Sequence, residues 1–204
     1  MHNPALAGTP RLGAGFLAGV TAWRLLVSAF GFSGFGAAVA VMNDPWPALS
    51  QQASLLTGVV YLGLARYPLF TGGRAHEPGS PWLRGAMSVL LLLVAGTYLT
   101  LMSGDLGSVH SLFEHLLTPL AVVADWVLVG RNQARVRSWH PVSWLGFPLA
   151  YLVYFVVERP PLYRGFLDPD SGDFPATVAG FLTALLAAGY ILYGIARVRR
   201  GGLS

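Results

Sequence analysis

The sequence contains no cysteine and no lysine, and only 11% of its 204 residues are charged. Without cysteine, disulfide bonds, thiolate nucleophiles, iron–sulfur clusters and cysteine-ligated zinc are excluded. An average soluble domain has about 25% charged residues, so the shortage of charge argues against a water-soluble globule. The mean hydropathy of +0.56 supports the same conclusion.

Six apolar segments approach the length of about 20 residues that a helix needs to cross a membrane. Residues 12–19 are expected to form an interfacial approach to the first segment or a tilted extension of it. The sequence therefore predicts an all-α, polytopic bundle of six transmembrane helices that forms one domain over residues 1–204. The predicted spans are 20–42, 49–66, 84–103, 108–130, 142–158 and 174–196.

The thirteen arginines are distributed unequally over the two sides of this bundle. With the N-terminus in the cytoplasm, eleven lie on or near the cytoplasmic side, and Arg159 and Arg164 lie outside. Because cytoplasmic loops are enriched in basic residues, both termini are predicted to be cytoplasmic. The basic pI of about 9.8 then reflects orientation, and no nucleic-acid partner is expected. The richness in alanine, glycine and arginine favours a bacterial plasma membrane as the location.

Polar side chains form a stripe on the predicted fourth helix and another on the second. A helical repeat places each set on one face, which should contact protein or water rather than lipid. Both stripes begin at the outer surface, where Ser50, Ser54 and His115 lie within about two turns, roughly 10 Å, of the boundary. The members are Ser111, His115, Thr118, Val122 and Asp125 on the fourth helix, and Ser50, Ser54, Thr57 and Tyr61 on the second.

Two charged residues fall inside the predicted spans near the cytoplasmic boundary. Arg24 on the first helix and Asp125 on the fourth lie at a similar depth, about 15 Å further toward the cytoplasm than His115. Each is costly alone in hydrocarbon, so we expect a structural ion pair between them.

His115 is the candidate general base. A neutral imidazole can accept the proton of a hydroxyl, which activates serine or threonine as a nucleophile. The alternative is that the histidine only hydrogen-bonds to a neighbour and that the hydroxyl stripe only packs helices together. His110 lies on a different face, and His2, His76 and His140 fall in tails or loops. We expect neither haem, nor another cofactor, nor a metal site.

An ordered set of segments resembles bacterial six-span relatives of the androgen-induced membrane hydrolases of animals. The segments are Phe113–Pro119 followed by Asp125 and Trp126, Arg84 and Gly85, Trp144–Tyr151 with Tyr154, and Tyr163–Asp168 followed by Gly172. The animal proteins cleave fatty acid esters of hydroxy fatty acids with a threonine and a histidine. The resemblance implies that His115 takes the place of this histidine and Ser50 that of the threonine, whereas Ala53 and Ser54 depart from a Ser-Asn pair.

The leading hypothesis is a hydrolase of a lipid ester that acts in the outer half of the bilayer. His115 would be the base, and Ser50, or alternatively Ser54, the nucleophile. Glu114, Tyr151 or Tyr154 would orient the imidazole or stabilise the oxyanion. The competing interpretations are a non-catalytic lipid-binding or scaffold protein and a small transporter. The expected partner is a membrane lipid or a lipid-like substrate, and the sequence does not determine an oligomeric state.

Overall fold

The computed structural model describes residues 11–201, and for residues 200 and 201 the backbone alone. This part of the chain is all-helical, with no strand. Its six long helices are apolar enough to cross a membrane, which confirms the predicted fold class and shows a multi-pass membrane protein by length and composition. The helices are α1 (Ala14–Val41), α2 (Leu49–Phe70), α3 (Trp82–Leu101), α4 (Val109–Val129), α5 (His140–Glu158) and α6 (Phe174–Gly201).

The ends of the helices differ from the predicted ends by a few residues. α1 already begins at Ala14, so most of residues 12–19 extend the first helix rather than approach it along the interface. α2 continues four residues beyond 66, through Pro68. Pro68 has no N–H to donate to the preceding turn, and only two residues of the helix follow it. α2 ends where Gly72 and Gly73 adopt positive φ and the Gly73 N–H bonds to the Pro68 carbonyl.

Loops at the two ends of the bundle carry opposite charge. We call the end that holds residues 71–81 and 130–139 the arginine-rich end. The end that holds residues 42–48, 102–108 and 159–173 is the acidic end, with Asp44, Asp105, Asp168, Asp170 and Asp173. At the arginine-rich end the Leu12 N–H donates to the Gly73 carbonyl, which joins the approach to α1 to the loop after α2. Which end faces the cytoplasm stays a prediction.

Glycine allows α1 and α2 to pack closely. A β-carbon on Gly31 would lie 2.6 Å from the Ser54 carbonyl oxygen and 2.7 Å from the Gly58 nitrogen, both of them backbone atoms. Ser28 Oγ donates to the Gly58 carbonyl at 2.7 Å across the same contact. Small residues serve this purpose in membrane bundles, where close approach replaces the hydrophobic driving force.

Replacing Gly31 by alanine is expected to lower the free energy of unfolding by about 1–3 kcal/mol, because the two backbones must move apart. The matched control is Gly36→Ala in the same helix, where the new methyl group meets no atom within 4 Å. Removing glycine there should be neutral or stabilising by up to about 1 kcal/mol. Thermal unfolding of the purified variants in detergent measures both changes. Equal stability of the two variants would contradict the close packing.

Candidate functional site

Wide π-helical turns interrupt α4 at two places. The first turn spans Phe113–Leu117 and carries Glu114 and His115, and the second spans Asp125–Val129. Such turns are rare and occur frequently at functional sites. All five members of the predicted α4 stripe are buried, as are the four members of the α2 stripe. The stripes therefore face protein, as their spacing predicts.

A cavity of about 640 Å³ lies at the acidic end. It is bounded by the loop before α2 and the start of α2, by the second half of α3, by the start of α4, and by parts of α5, α6 and the loop between them. Most of its wall is apolar and includes Leu93, Val94, Phe181, Leu182 and Leu185. The polar side chains on the wall are Asp44, Ser50, Gln51, Thr97, Tyr98, His110, Ser111, His115, Tyr151 and Tyr163. Ser50 and His115, which come from different helices, thus border one space.

His115 is held by stacking rather than by a carboxylate. Its ring lies parallel to the Tyr98 ring, with an interplanar angle of 5° and centroids 3.6 Å apart. Tyr98 is fixed in turn because its hydroxyl accepts from Ser111 Oγ at 2.9 Å and donates to the Asp105 carbonyl. His115 is only 7% exposed, and its Nδ1 has no hydrogen-bond partner in the described part of the chain. The imidazole is therefore oriented and keeps an unused nitrogen.

Ser50 lies in the first turn of α2, where backbone N–H groups have no intrahelical acceptor. Two neighbouring groups are nevertheless satisfied, since the Leu49 N–H donates to Tyr163 Oη at 3.2 Å and the Gln52 N–H to the Ala48 carbonyl. Within residues 11–201 the N–H groups of Ser50 and Gln51 have no acceptor. This turn thus presents a hydroxyl and two free donors beside the cavity.

Two tyrosines fix the start of α2. Tyr151 on α5 donates to the Pro47 carbonyl at 2.7 Å, and Tyr163 accepts from Leu49. Burial raises the pKa of Tyr163, which lies in the loop after α5, so its hydroxyl stays neutral. Tyr163 is a positioning residue that the sequence reasoning did not single out, although it opens a segment of the resemblance.

The predicted orienting residues contact other groups. The Glu114 carboxylate accepts from Gln51 Nε2 at 2.9 Å, so it holds the first turn of α2. Tyr151 bonds to Pro47, and the Tyr154 ring lies 5.7 Å from the Tyr151 ring and does not border the cavity. In the described part of the chain none of the three hydrogen-bonds to His115. Tyr98, which lies on α3 at the same depth, orients the His115 ring instead.

Ser54 is separated from the cavity. It is fully buried one turn further along α2, where its carbonyl faces Gly31 of α1, and it does not contribute to the cavity wall. The two serines that the sequence left open as nucleophiles therefore differ in access. Ser50 borders the cavity, and Ser54 serves as its matched control.

The predicted ion pair belongs to a larger network at the arginine-rich end. Arg24 Nε lies 3.7 Å from Asp125 Oδ1, but the nearer cation is Arg84, whose Nε lies 2.7 Å from Asp125 Oδ2. Glu77 joins both arginines, at 3.0 Å from Arg24 and 3.3 Å from Arg84. The four side chains are buried and carry equal numbers of formal positive and negative charges. Sequence reasoning missed Arg84 and Glu77 as members of this network.

Glu77 gives the network a dependence on pH. Burial by itself raises the pKa of this carboxyl, but the His76 imidazole 3.3 Å away, the charge of Arg84 and the hydrogen bond from the Arg131 N–H outweigh it and lower the pKa from 4.5 to about 2. A lowered pKa adds stability that is complete above about 4.5 and is lost as the pH falls toward 2.

We expect the thermal midpoint of the detergent-purified protein to fall as the pH is lowered from 5 to 3. The Glu77→Gln variant should be less stable at pH 7 and should lose less of its remaining stability over this interval. Circular dichroism melts at several pH values measure the difference. Parallel pH curves for the two proteins would remove Glu77 as the titrating group.

Comparisons with protein-family models, with curated proteins and with solved structures found no match. Within residues 11–201 no three histidine or acidic side chains converge as metal ligands would.

Proposed function

We propose that the protein is a membrane hydrolase that cleaves esters of long-chain fatty acids, with Ser50 as the nucleophile and His115 as the base. The observation that carries this proposal is that Ser50 and His115 border the same largely apolar cavity, and that His115 Nδ1 has no hydrogen-bond partner among residues 11–201. The resemblance to the androgen-induced hydrolases supports the same two residues. Pockets of this size with a few polar groups are typical of sites for small apolar ligands.

The reaction proceeds in two steps. Ser50 Oγ attacks the acyl carbonyl while His115 takes the hydroxyl proton. The tetrahedral intermediate then collapses, and the alcohol leaves with that proton. Water attacks the acyl-serine with His115 again as the base, which releases the fatty acid and restores the serine.

The free N–H groups of Ser50 and Gln51 supply the oxyanion hole. Donors at the first turn of a helix favour negative charge, and removing one such donor from a hydrolase costs about 10²–10³ in rate. Their position is set by Tyr151 and Tyr163, which hold the preceding residues of α2. In this arrangement the nucleophile and the donors belong to one turn, and the base comes from another helix.

The substrate's acyl chain lies along the apolar wall formed by α3 and α6. Because Ser50 is the second residue of α2, the ester group lies near the membrane surface and the chain points into the bilayer. By the arginine asymmetry we place the acidic end, and with it the cavity, on the outer side of a bacterial plasma membrane.

Labelling of membranes with a fluorescent fluorophosphonate tests the proposal. The wild-type protein should be labelled, Ser50→Ala should not be labelled, and His115→Ala should react at least about 100-fold more slowly, since a general base contributes about 10²–10⁴. Ser54→Ala should be labelled like the wild type. Full labelling of Ser50→Ala would contradict the assignment, and a wild-type protein that binds fatty acid esters without labelling or hydrolysis would instead support the lipid-binding alternative.

A further inference from the structure

A second cavity, of about 450 Å³, lies at the arginine-rich end, remote from Ser50 and His115. It is formed by the start of α1, the end of α4, the short turn after α4 and the end of α6. Its apolar part includes Phe16, Val20, Leu128 and Val129. Two arginines, Arg131 and Arg199, lie on the wall, and Gly130, Gln133 and Ala134 complete it.

These two arginines are held in place but not neutralised. The Arg131 guanidinium lies over the Phe16 ring, 4.6 Å from its centroid. Arg199 donates to the carbonyls of Gly130 and Leu128, both at 3.4 Å. Among the residues that the structure describes, neither arginine has a carboxylate within 4 Å. Arg24 and Arg84, in contrast, are paired with Glu77 and Asp125.

The position of the cavity matches the headgroup region of a membrane. It lies where three of the membrane-length helices begin or end, and Leu128 on its edge is 71% exposed toward the surroundings of the bundle. Basic pockets between transmembrane helices at this level bind the headgroups of anionic lipids. Arginine suits this task because its planar fork matches the oxygens of a phosphate.

We propose that Arg131 and Arg199 bind the phosphate of an anionic phospholipid, whose acyl chain lies against Val20 and Leu128. The apolar half of the cavity favours a lipid over free phosphate, because inorganic phosphate leaves that surface unused. This lipid is distinct from the substrate of the proposed hydrolase and binds at the other end of the bundle.

The test measures binding of phosphatidylglycerol to the detergent-purified protein by native mass spectrometry, with phosphatidylcholine and inorganic phosphate as parallel probes. We expect phosphatidylglycerol alone to bind. Its affinity should fall about thirtyfold in Arg131→Gln/Arg199→Gln, since each arginine near an anionic surface contributes about 1 kcal/mol. The control is Arg66→Gln, an exposed arginine on α2 outside the cavity, which should bind like the wild type.

Three results would overturn the proposal. Undiminished binding of phosphatidylglycerol to the double variant removes the arginines from the site. Equal binding of phosphatidylcholine shows that anionic charge is not recognised, and equal binding of inorganic phosphate shows a site for a free anion. Arg199→Gln alone, with an expected loss of about fivefold, decides the question if the double variant does not fold.

Discussion

Replacing Arg84 by methionine is expected to lower the free energy of unfolding by about 3–5 kcal/mol, the range found when one partner of a buried ion pair is removed. The Arg84 guanidinium contacts Asp125, Glu77 and the Asn132 side chain, and its own side chain is only 2% exposed. Without it, Asp125 keeps a single cation, Arg24, at 3.7 Å. A loss of this size is a large part of the stability of a typical domain.

Two variants separate the charge from the side-chain volume. Arg84→Met combined with Asp125→Leu removes one charge of each sign and should be more stable than Arg84→Met, because no buried carboxylate is left short of its partner. Arg66→Met, at an exposed position on α2, should stay within about 0.5 kcal/mol of the wild type. Urea or thermal unfolding in detergent gives the values. An Arg84→Met protein as stable as Arg66→Met would show that the network contributes nothing.

Hydrolysis of a long-chain fatty acid ester is expected to fall by at least about 10⁴ in kcat/KM when Ser50 is replaced by alanine, because the covalent route is lost. His115→Ala should lose about 10²–10⁴, since the acceptor of the serine proton is removed. Ser54→Ala should keep the wild-type rate because its hydroxyl does not reach the cavity. Release of fatty acid by the purified proteins measures these rates.

The double variant Ser50→Ala/His115→Ala gives the control for this pair. Residues that act as one unit are not additive, so the double variant should be no slower than Ser50→Ala alone. Independent, multiplicative losses would mean that the two side chains do not share a step. A thermal midpoint close to that of the wild type for each variant shows that the fold is intact.

Much of the fold was predictable because its physical causes are local. Apolar segments long enough to cross a membrane specify six helices, and the spacing of Ser50 to Tyr61 and of Ser111 to Asp125 specifies the faces that are buried. The helix ends were less predictable. The α2 extension beyond residue 66 ends at the turn formed by Gly72 and Gly73, and the apolar pattern alone does not locate that turn.

Which side chains contact each other inside the bundle depends on which helices are neighbours. The spacing of residues along one helix does not contain that information. Asp125 was expected to meet Arg24 because both lie at one depth, yet Arg84 satisfies the same condition and lies closer. Glu77 lies in the loop after α2, and only the folding of that loop over the bundle brings its carboxylate to Arg24 and to the N–H of Arg131. Tyr98 was missed for the same reason, since only the packing of α3 against α4 brings its ring onto His115.

The location of a covalent adduct tests the central claim most directly. The purified wild-type protein is treated with a fluorophosphonate and digested, and the modified peptide is sequenced by mass spectrometry. The expected result is one adduct on Ser50, formed far more slowly in His115→Ala and absent after prior incubation with a long-chain fatty acid ester analogue. An adduct on any other residue would contradict the role of Ser50 as the nucleophile. So would a protein that hydrolyses the ester but forms no fluorophosphonate adduct on Ser50.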